Sequence, residues 1–172
     1  MTEIRNRAAW PPALPPALPW LAAAMASAIA LSAPAFAQGA GEDRIRRGEG
    51  VILELNRGQP QQTLEQLRQE FPFLADAIAG YALGEVWDRP QLDNRTRQIA
   101  AVSAFAALGL PDYMKIHAGY ALNIGVSEAE LKEIVYLTTV HAGFPRAIEA
   151  AQTLSELFAE RAAGSAGAGA PR

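Results

Sequence analysis

Between Pro111 and Pro145 the apolar residues recur at the three- and four-residue spacing of an α-helix and hardly ever at the two-residue spacing of a strand. That restricts the chain to helices packed on helices. Tyr113, Ile116, His117, Tyr120, Ala121 and Ile124 share one face of a first helix, and Asn123 and Gly125 mark its end. A second helix begins at Ser127, with Glu130 three residues on as a capping box. Leu131, Ile134, Val135, Thr138 and His141 line its inner side before Gly143 stops it. Both histidines of the chain therefore fall in apolar stripes of adjacent helices.

The same period runs through most of what surrounds this pair. Glu42 to Leu55 reads as a helix with Ile45, Val51, Ile52 and Leu55 as its apolar positions, weakened by Gly48 and Gly50. A short helix covers Thr63 to Glu70. Pro72 opens another that aligns Leu74, Ala77, Ile78, Tyr81, Ala82 and Glu85, with Glu85 a carboxylate where the pattern asks for a hydrophobe. Asp93 is an N-cap for a helix to Leu108, whose stretch from Ile99 has almost no polar side and is expected to be enclosed by protein. Pro145 starts a last helix with Ile148, Ala151, Leu154, Leu157 and Phe158 in its stripe. The expected fold is all-α, with about six or seven helices around one core.

The first forty residues stand apart from that domain. Arg5 and Arg7 precede an apolar run from Trp20 to Leu31, and Ala35-Phe36-Ala37 is a small-x-small cleavage signal ahead of Gln38. The run is shorter than the roughly 20 residues a spanning helix needs, so residues 1–37 read as a signal peptide and not a membrane anchor. Residues 38–41 are then a flexible lead-in, residues 42–161 the domain, and the Gly- and Ala-rich residues 162–172 a disordered tail. The expected location is the periplasm or the exterior, with no stable membrane insertion after cleavage. Removing residues 1–37 takes Arg5, Arg7 and Glu3 with it and leaves 13 basic and 17 acidic residues, a net charge of −4. That balance does not suit nucleic acid or an anionic membrane as partner. The chain has no cysteine, so no thiol chemistry is open to it.

Four residues remain as candidates for chemistry. His117 and His141 have the ring whose ordinary pKa lies near neutrality, so either can pass a proton in both directions. Glu85 is suited to orient one of them, or else to pair with an arginine. Arg97, four and eight residues before the apolar Ala101 and Phe105, sits on the buried side of its helix near the N-terminus, where it suits a carboxylate. Arg89 and Arg95 read as solvent-facing or paired with Asp88 and Asp93. Ser103, Ser127 and Thr138 serve packing and capping. Two histidines and one glutamate without the close i, i+4 histidine spacing do not make a metal site, and none is expected.

Several motifs, in order and in spacing, resemble the carboxymuconolactone decarboxylase family of the alkylhydroperoxidase D-like group. They are Gly84-Glu-Val-Trp-Asp-Arg-Pro90, Asn94-Arg-Thr-Arg97, His117-x-x-x-Ala121-Leu-Asn-x-Gly125-Val-Ser, Glu130-Leu-x-Glu133 and Ala142-Gly-Phe-Pro145. The resemblance covers about residues 42–161 and implies the alkylhydroperoxidase D-like helical bundle, assembled as trimers or hexamers. In the thiol-dependent branch of that group a Cys-x-x-Cys pair and a glutamate accompany the histidine. Here those positions are Leu110, Tyr113 and Gln98, which excludes a thiol peroxidase. The decarboxylase branch implies a cofactor-independent lyase or isomerase acting on a small carboxylic acid or lactone. In it Arg97 would hold the carboxylate, His117 would give the proton, and His141 or Glu85 would be a second acid-base group. A non-catalytic oligomer that binds a small acid on the same scaffold is the competing reading.

Overall fold

The computed structural model of the protein describes residues 40–168, and helices with no strand make up its regular structure there. The leader assigned to residues 1–37, and residues 38–39 and 169–172, lie outside the described residues. Helix α1 spans 40–55, α2 spans Gln62–Glu70, and α3, Pro72–Ala77, runs on into a π-helical segment, Ile78–Trp87. Helices α4, Asn94–Leu108, and α5, Pro111–Asn123, follow. The last, α6, spans Glu128–Ala168 and is two helices meeting at Gly143, whose φ of 80° lies in the left-handed region that glycine adopts without steric cost. The all-helical expectation and the element order hold. Residues 162–168 extend α6, so the tail expected to be disordered from 162 is helical as far as 168.

The caps form where side-chain chemistry asks for them. Asp93 accepts from the Thr96 N–H at 2.6 Å at the start of α4. Glu130 Oε2 accepts from the Ser127 N–H at 2.9 Å while Ser127 Oγ accepts from the Glu130 N–H at 3.2 Å, so the capping box is closed from both sides. Arg95 pairs with Glu130, not with Asp88 or Asp93, and so ties the starts of α4 and α6 together.

Helix α5 is covered on two sides. Met114, Ala118 and Ala121 pack with Val102 of α4 and with Leu131 and Leu154 of α6 in the larger core. Tyr120 faces a second core of Val51, Ile52, Leu55, Leu64 and Ala75, against which Ile116, Ile124 and Trp87 also rest. Truncating a fully buried leucine such as Leu131 should cost about 2–5 kcal/mol. His117 lies where these two cores meet, and that placement decides its chemistry.

Three apolar stripes differ from the periodic reading. In the segment after Pro72 the buried residues are Ala75, Ala79, Gly80 and Gly84, while Leu74, Tyr81 and Ala82 are exposed. The wider π-helical turn shifts the phase of the side chains. Close packing against α1 also requires small residues here: a Cβ on Gly84 would lie 2.0 Å from the Arg44 carbonyl oxygen, and one on Gly48 1.9 Å from that of Ala79. Gly48, read as a weakness of α1, is thus the residue that lets α1 approach. Beyond Gly143 the stripe begins at Ala147 and Ala150, and Ile148 and Ala151 are exposed, because the break rotates the second limb of α6. Helix α4 is not enclosed on all sides; Ala100, Ala104, Ala107 and Leu108 form an exposed flank.

Candidate functional site

A cavity of about 480 Å³ opens beside His117. Its wall is almost wholly apolar, with Ile52, Leu55, Leu64 and Leu67 on one side, Ile78, Leu83 and Trp87 on another, and Ile116, His117 and Tyr120 from α5. Three aromatic rings surround the imidazole, with centroids at 5.1 Å for Phe105, 5.7 Å for Trp87 and 6.0 Å for Tyr120, the last edge-on. Trp87 is held by donating Nε1–H to Asn94 Oδ1 at 3.0 Å, and Asn94 in turn donates to Glu54 at 2.8 Å.

Gln98 fixes the orientation of the histidine ring. Its Oε1 lies 2.8 Å from His117 Nδ1. An amide carbonyl oxygen only accepts, so the proton on that edge of the ring belongs to Nδ1, and Nε2 carries a lone pair. Burial pushes the His117 pKa down to about 4, because an imidazolium in apolar surroundings loses its hydration. The ring is therefore neutral at pH 7, and its Nε2 is a base. The sequence reading made His117 a proton donor; in the neutral state it must first acquire the proton it gives.

Two further polar groups stand at the same place. Gln98 Nε2 and Tyr120 Oη are buried and have no hydrogen-bond partner among the described residues. Leaving such donors unmatched costs about 1–3 kcal/mol each. Burial pushes the Tyr120 phenol up to about 12, so it keeps its proton and remains a donor. The sequence alone marks neither as a site residue: Tyr120 falls in an apolar stripe, and Gln98 stands out only as a departure from a motif. The signal was present, because Gln98 precedes the buried Val102 and Ala106 by four and eight residues and is a polar group inside the α4 stripe.

The other sequence candidates do not line this cavity. Arg97 sits one position off the buried stripe of α4, and its guanidinium donates to the backbone oxygens of Leu92 at 3.2 Å, Val86 at 3.4 Å and Arg89, which fastens the loop before α4. Glu85 accepts from Arg44 Nη1 at 2.6 Å and joins the π-helical segment to α1, the arginine pairing that was its alternative reading. His141 is exposed: Thr138 turns inward and bonds the Ile134 carbonyl at 2.8 Å, but one turn later the helix end has left the core. Around it Tyr136, Leu137, Val140, Phe144 and Ile148 are exposed as well. Among the described residues no group of three His, Asp or Glu side chains is placed to hold a metal ion.

The fold and the site define an all-helical protein with a neutral, amide-anchored imidazole in an apolar cavity. A sequence model of the carboxymuconolactone decarboxylase family matches residues 72–156, which include Gln98, His117 and Tyr120. The 4-carboxymuconolactone decarboxylase of Acinetobacter baylyi is 32% identical over 118 residues, which cover 68% of this chain and 88% of that protein. The nitrosuccinic acid decarboxylase of Metarhizium robertsii is 33% identical over 87 residues, 49% of this chain and 61% of that one. The chain belongs to the carboxymuconolactone decarboxylase family.

Proposed function

We propose that this protein is a cofactor-independent decarboxylase of a small carboxylic acid, one whose carboxyl group leaves from a carbon conjugated to an electron-accepting oxygen. The observation that carries the reading is the neutral His117, with Nδ1–H bound by Gln98 and Nε2 left free by the described residues, beside two buried donors that lack partners among them. The two decarboxylases to which the chain is similar are named for a carboxylated lactone and a nitro acid. Each such compound has an oxygen that can take up the electron pair left by CO2.

The steps balance without an added reagent. In so apolar a cavity a carboxyl group enters as the acid, since its anion would lose hydration. His117 Nε2 takes that proton. The C–C bond then breaks, CO2 leaves, and the bonding pair moves to the acceptor oxygen, where Tyr120 Oη and Gln98 Nε2 donate hydrogen bonds to the developing charge. The imidazolium returns its proton to the carbon that lost CO2, and the ring is neutral again. A localised carboxylate is less stable in the dry cavity than the dispersed charge of the transition state, which favours the bond cleavage. In this mechanism Arg97 and Glu85 hold the backbone of the site and touch no substrate.

The test is CO2 release by the purified protein from lactone acids and α-nitro acids, with His117→Ala as control. Release that depends on His117 supports the reading. Saturable binding of the same acids with no turnover would favour a non-catalytic acid-binding protein instead. We also infer that copies associate as trimers or hexamers through the exposed apolar surface around Val140 and Phe144, and that the chain is exported through its leader. Light scattering of a Val140→Asp variant, and the N-terminal residue of protein recovered from the periplasm, expected to be Gln38, test these two inferences.

A further inference from the structure

The walls of the His117 cavity bear on what else the reacting acid carries besides its carboxyl. Among the described residues no Asp, Glu, Lys or Arg lines it. The groups able to meet a carboxyl are His117 Nε2, Gln98 Nε2 and Tyr120 Oη, all on α4 and α5. Gln61 also faces the cavity, but its Oε1 already accepts from the Leu64 N–H at 2.6 Å. Thr63, Leu74 and Tyr113 form an exposed edge. Most of the remaining wall is hydrocarbon and indole from α1, α2 and the π-helical segment.

A local feature of the backbone makes the last of these surfaces. Ile78 and Leu83 are five residues apart, the interval of a π-helical hydrogen bond, and the Asp88 N–H bonds the Leu83 carbonyl at 3.0 Å in the same pattern. Side chains one such interval apart come round to nearly the same side. In an α-helix, at 3.6 residues per turn, Leu83 would point about 140° away from Ile78. The wide turns therefore bring Ile78, Leu83 and Trp87 to one wall, while Gly80 and Gly84 lie against α1.

At about 480 Å³ the cavity falls within the roughly 300–1,000 Å³ of sites that enclose a whole organic ligand. A methylene gains on entering such a wall, whereas a second carboxylate would lose its hydration and meet no cation from the described residues. We propose that the substrate is an acid with a single carboxyl, whose body beyond the acceptor oxygen is hydrocarbon, and that Ile78, Leu83 and Trp87 select that body while the carboxyl lies at His117. That the bound carboxyl is the one lost rests on the decarboxylase reading; selection of the body rests on the wall alone.

Octanoate and suberate have the same carbon chain and differ in the second carboxylate, and butyrate and hexanoate shorten that chain. The full chain is titrated with each at pH 6, by calorimetry and by the NMR signals of the His117 ring, which separate the cavity from the apolar surface around Val140. Each added methylene should tighten binding about fourfold, and octanoate should bind about tenfold tighter than suberate or better, with the His117 signals moving. Leu83→Ala should weaken octanoate about tenfold and butyrate by about twofold at most. Leu74→Lys, at the exposed edge, should bring suberate to within about threefold of octanoate with thermal unfolding unchanged. Affinity independent of chain length, suberate bound as tightly as octanoate, no binding of any of the four acids, or His117 signals that stay still on binding would each overturn the proposal. Unchanged octanoate binding in a Leu83→Ala protein that unfolds as the parent does would overturn it too. Failure of the series leaves His117-dependent CO2 release standing, and absence of turnover leaves the series intact.

Discussion

His117 and His141 carry the same ring on neighbouring helices, each in a stripe of apolar residues, and the fold treats them in opposite ways. His117 is walled by Phe105, Trp87 and Tyr120 and anchored by Gln98. His141 stands in water beside Val140 and Phe144. The difference is supplied by what packs on the helix and not by the helix. At His117 two cores meet, with α4 on one side and α1 and α2 on the other; at His141 the last turn of the first limb of α6 projects past both. Periodicity assigns a residue to one side of its helix, and only tertiary packing decides whether that side is covered there.

The largest test of this contrast is catalytic. His117→Ala should lower the turnover of any decarboxylated substrate by about 10²–10⁴-fold, the usual worth of a positioned acid-base group, and should leave substrate affinity much less changed. A kcat within threefold of the parent protein would remove His117 from the chemistry.

Next comes the pH dependence of stability. In the unfolded chain His117 titrates near its ordinary 6.5, and in the folded protein near 4. Between those values the unfolded state binds a proton that the folded state does not, so stability falls as pH falls through this window and levels off below it. The loss is on the order of 3 kcal/mol, and a His117→Phe variant should lack it. Urea unfolding of both proteins at pH 7 and pH 4.5 measures the difference. Parallel curves would mean that the ring is not shielded as its surroundings indicate.

Local chemistry was the legible part of this molecule. Asp93, the Ser127 and Glu130 pair, and Gly143 announce the ends of helices through groups that act within one turn, and the structure places those ends accordingly. Phase was less legible. The π-helical turn after Ala77 and the rotation at Gly143 reset which residues face inward, and neither follows from a fixed period of 3.6. Glu85 and Arg97 were found as polar residues near apolar stripes, yet their partners, Arg44 and three backbone oxygens, come from segments that only the fold brings close. Gln98 obeys the same rule one position along, but in the sequence it stands out only as a substitution in a motif. Tyr120 gives no sign, since a phenol in an apolar stripe reads as core until its hydroxyl is seen to lack a partner among the described residues.

Gln98 offers a sharper form of the comparison. Gln98→Glu would put a carboxylate 2.8 Å from His117 Nδ1 in place of the amide. The anion stabilises the imidazolium, so the His117 pKa should rise from about 4 by roughly 1–3 units. Because the neutral ring is the active base, the acid limb of the rate profile should move to higher pH by the same amount. An unmoved limb would show that the ring seen by the substrate is not the one Gln98 holds.

His141 should give the smallest effect, and for that reason it is the most exposed part of the comparison. In a single chain His141→Ala removes a solvated ring with no hydrogen-bonded partner among the described residues, and such changes shift stability by no more than about 0.5 kcal/mol. Turnover per chain should stay within twofold. The apolar residues around it give the experiment its force, because a surface of Val140, Phe144 and Ile148 that pairs with another copy would carry His141 into a contact the single chain does not have. A tenfold loss in His141→Ala that is reproduced by Val140→Asp would put the second histidine at a site built between subunits. The difference between His117 and His141 would then belong to the isolated chain alone. A loss in Val140→Asp without one in His141→Ala would instead keep the catalytic role with His117 and assign to this surface only the holding together of copies.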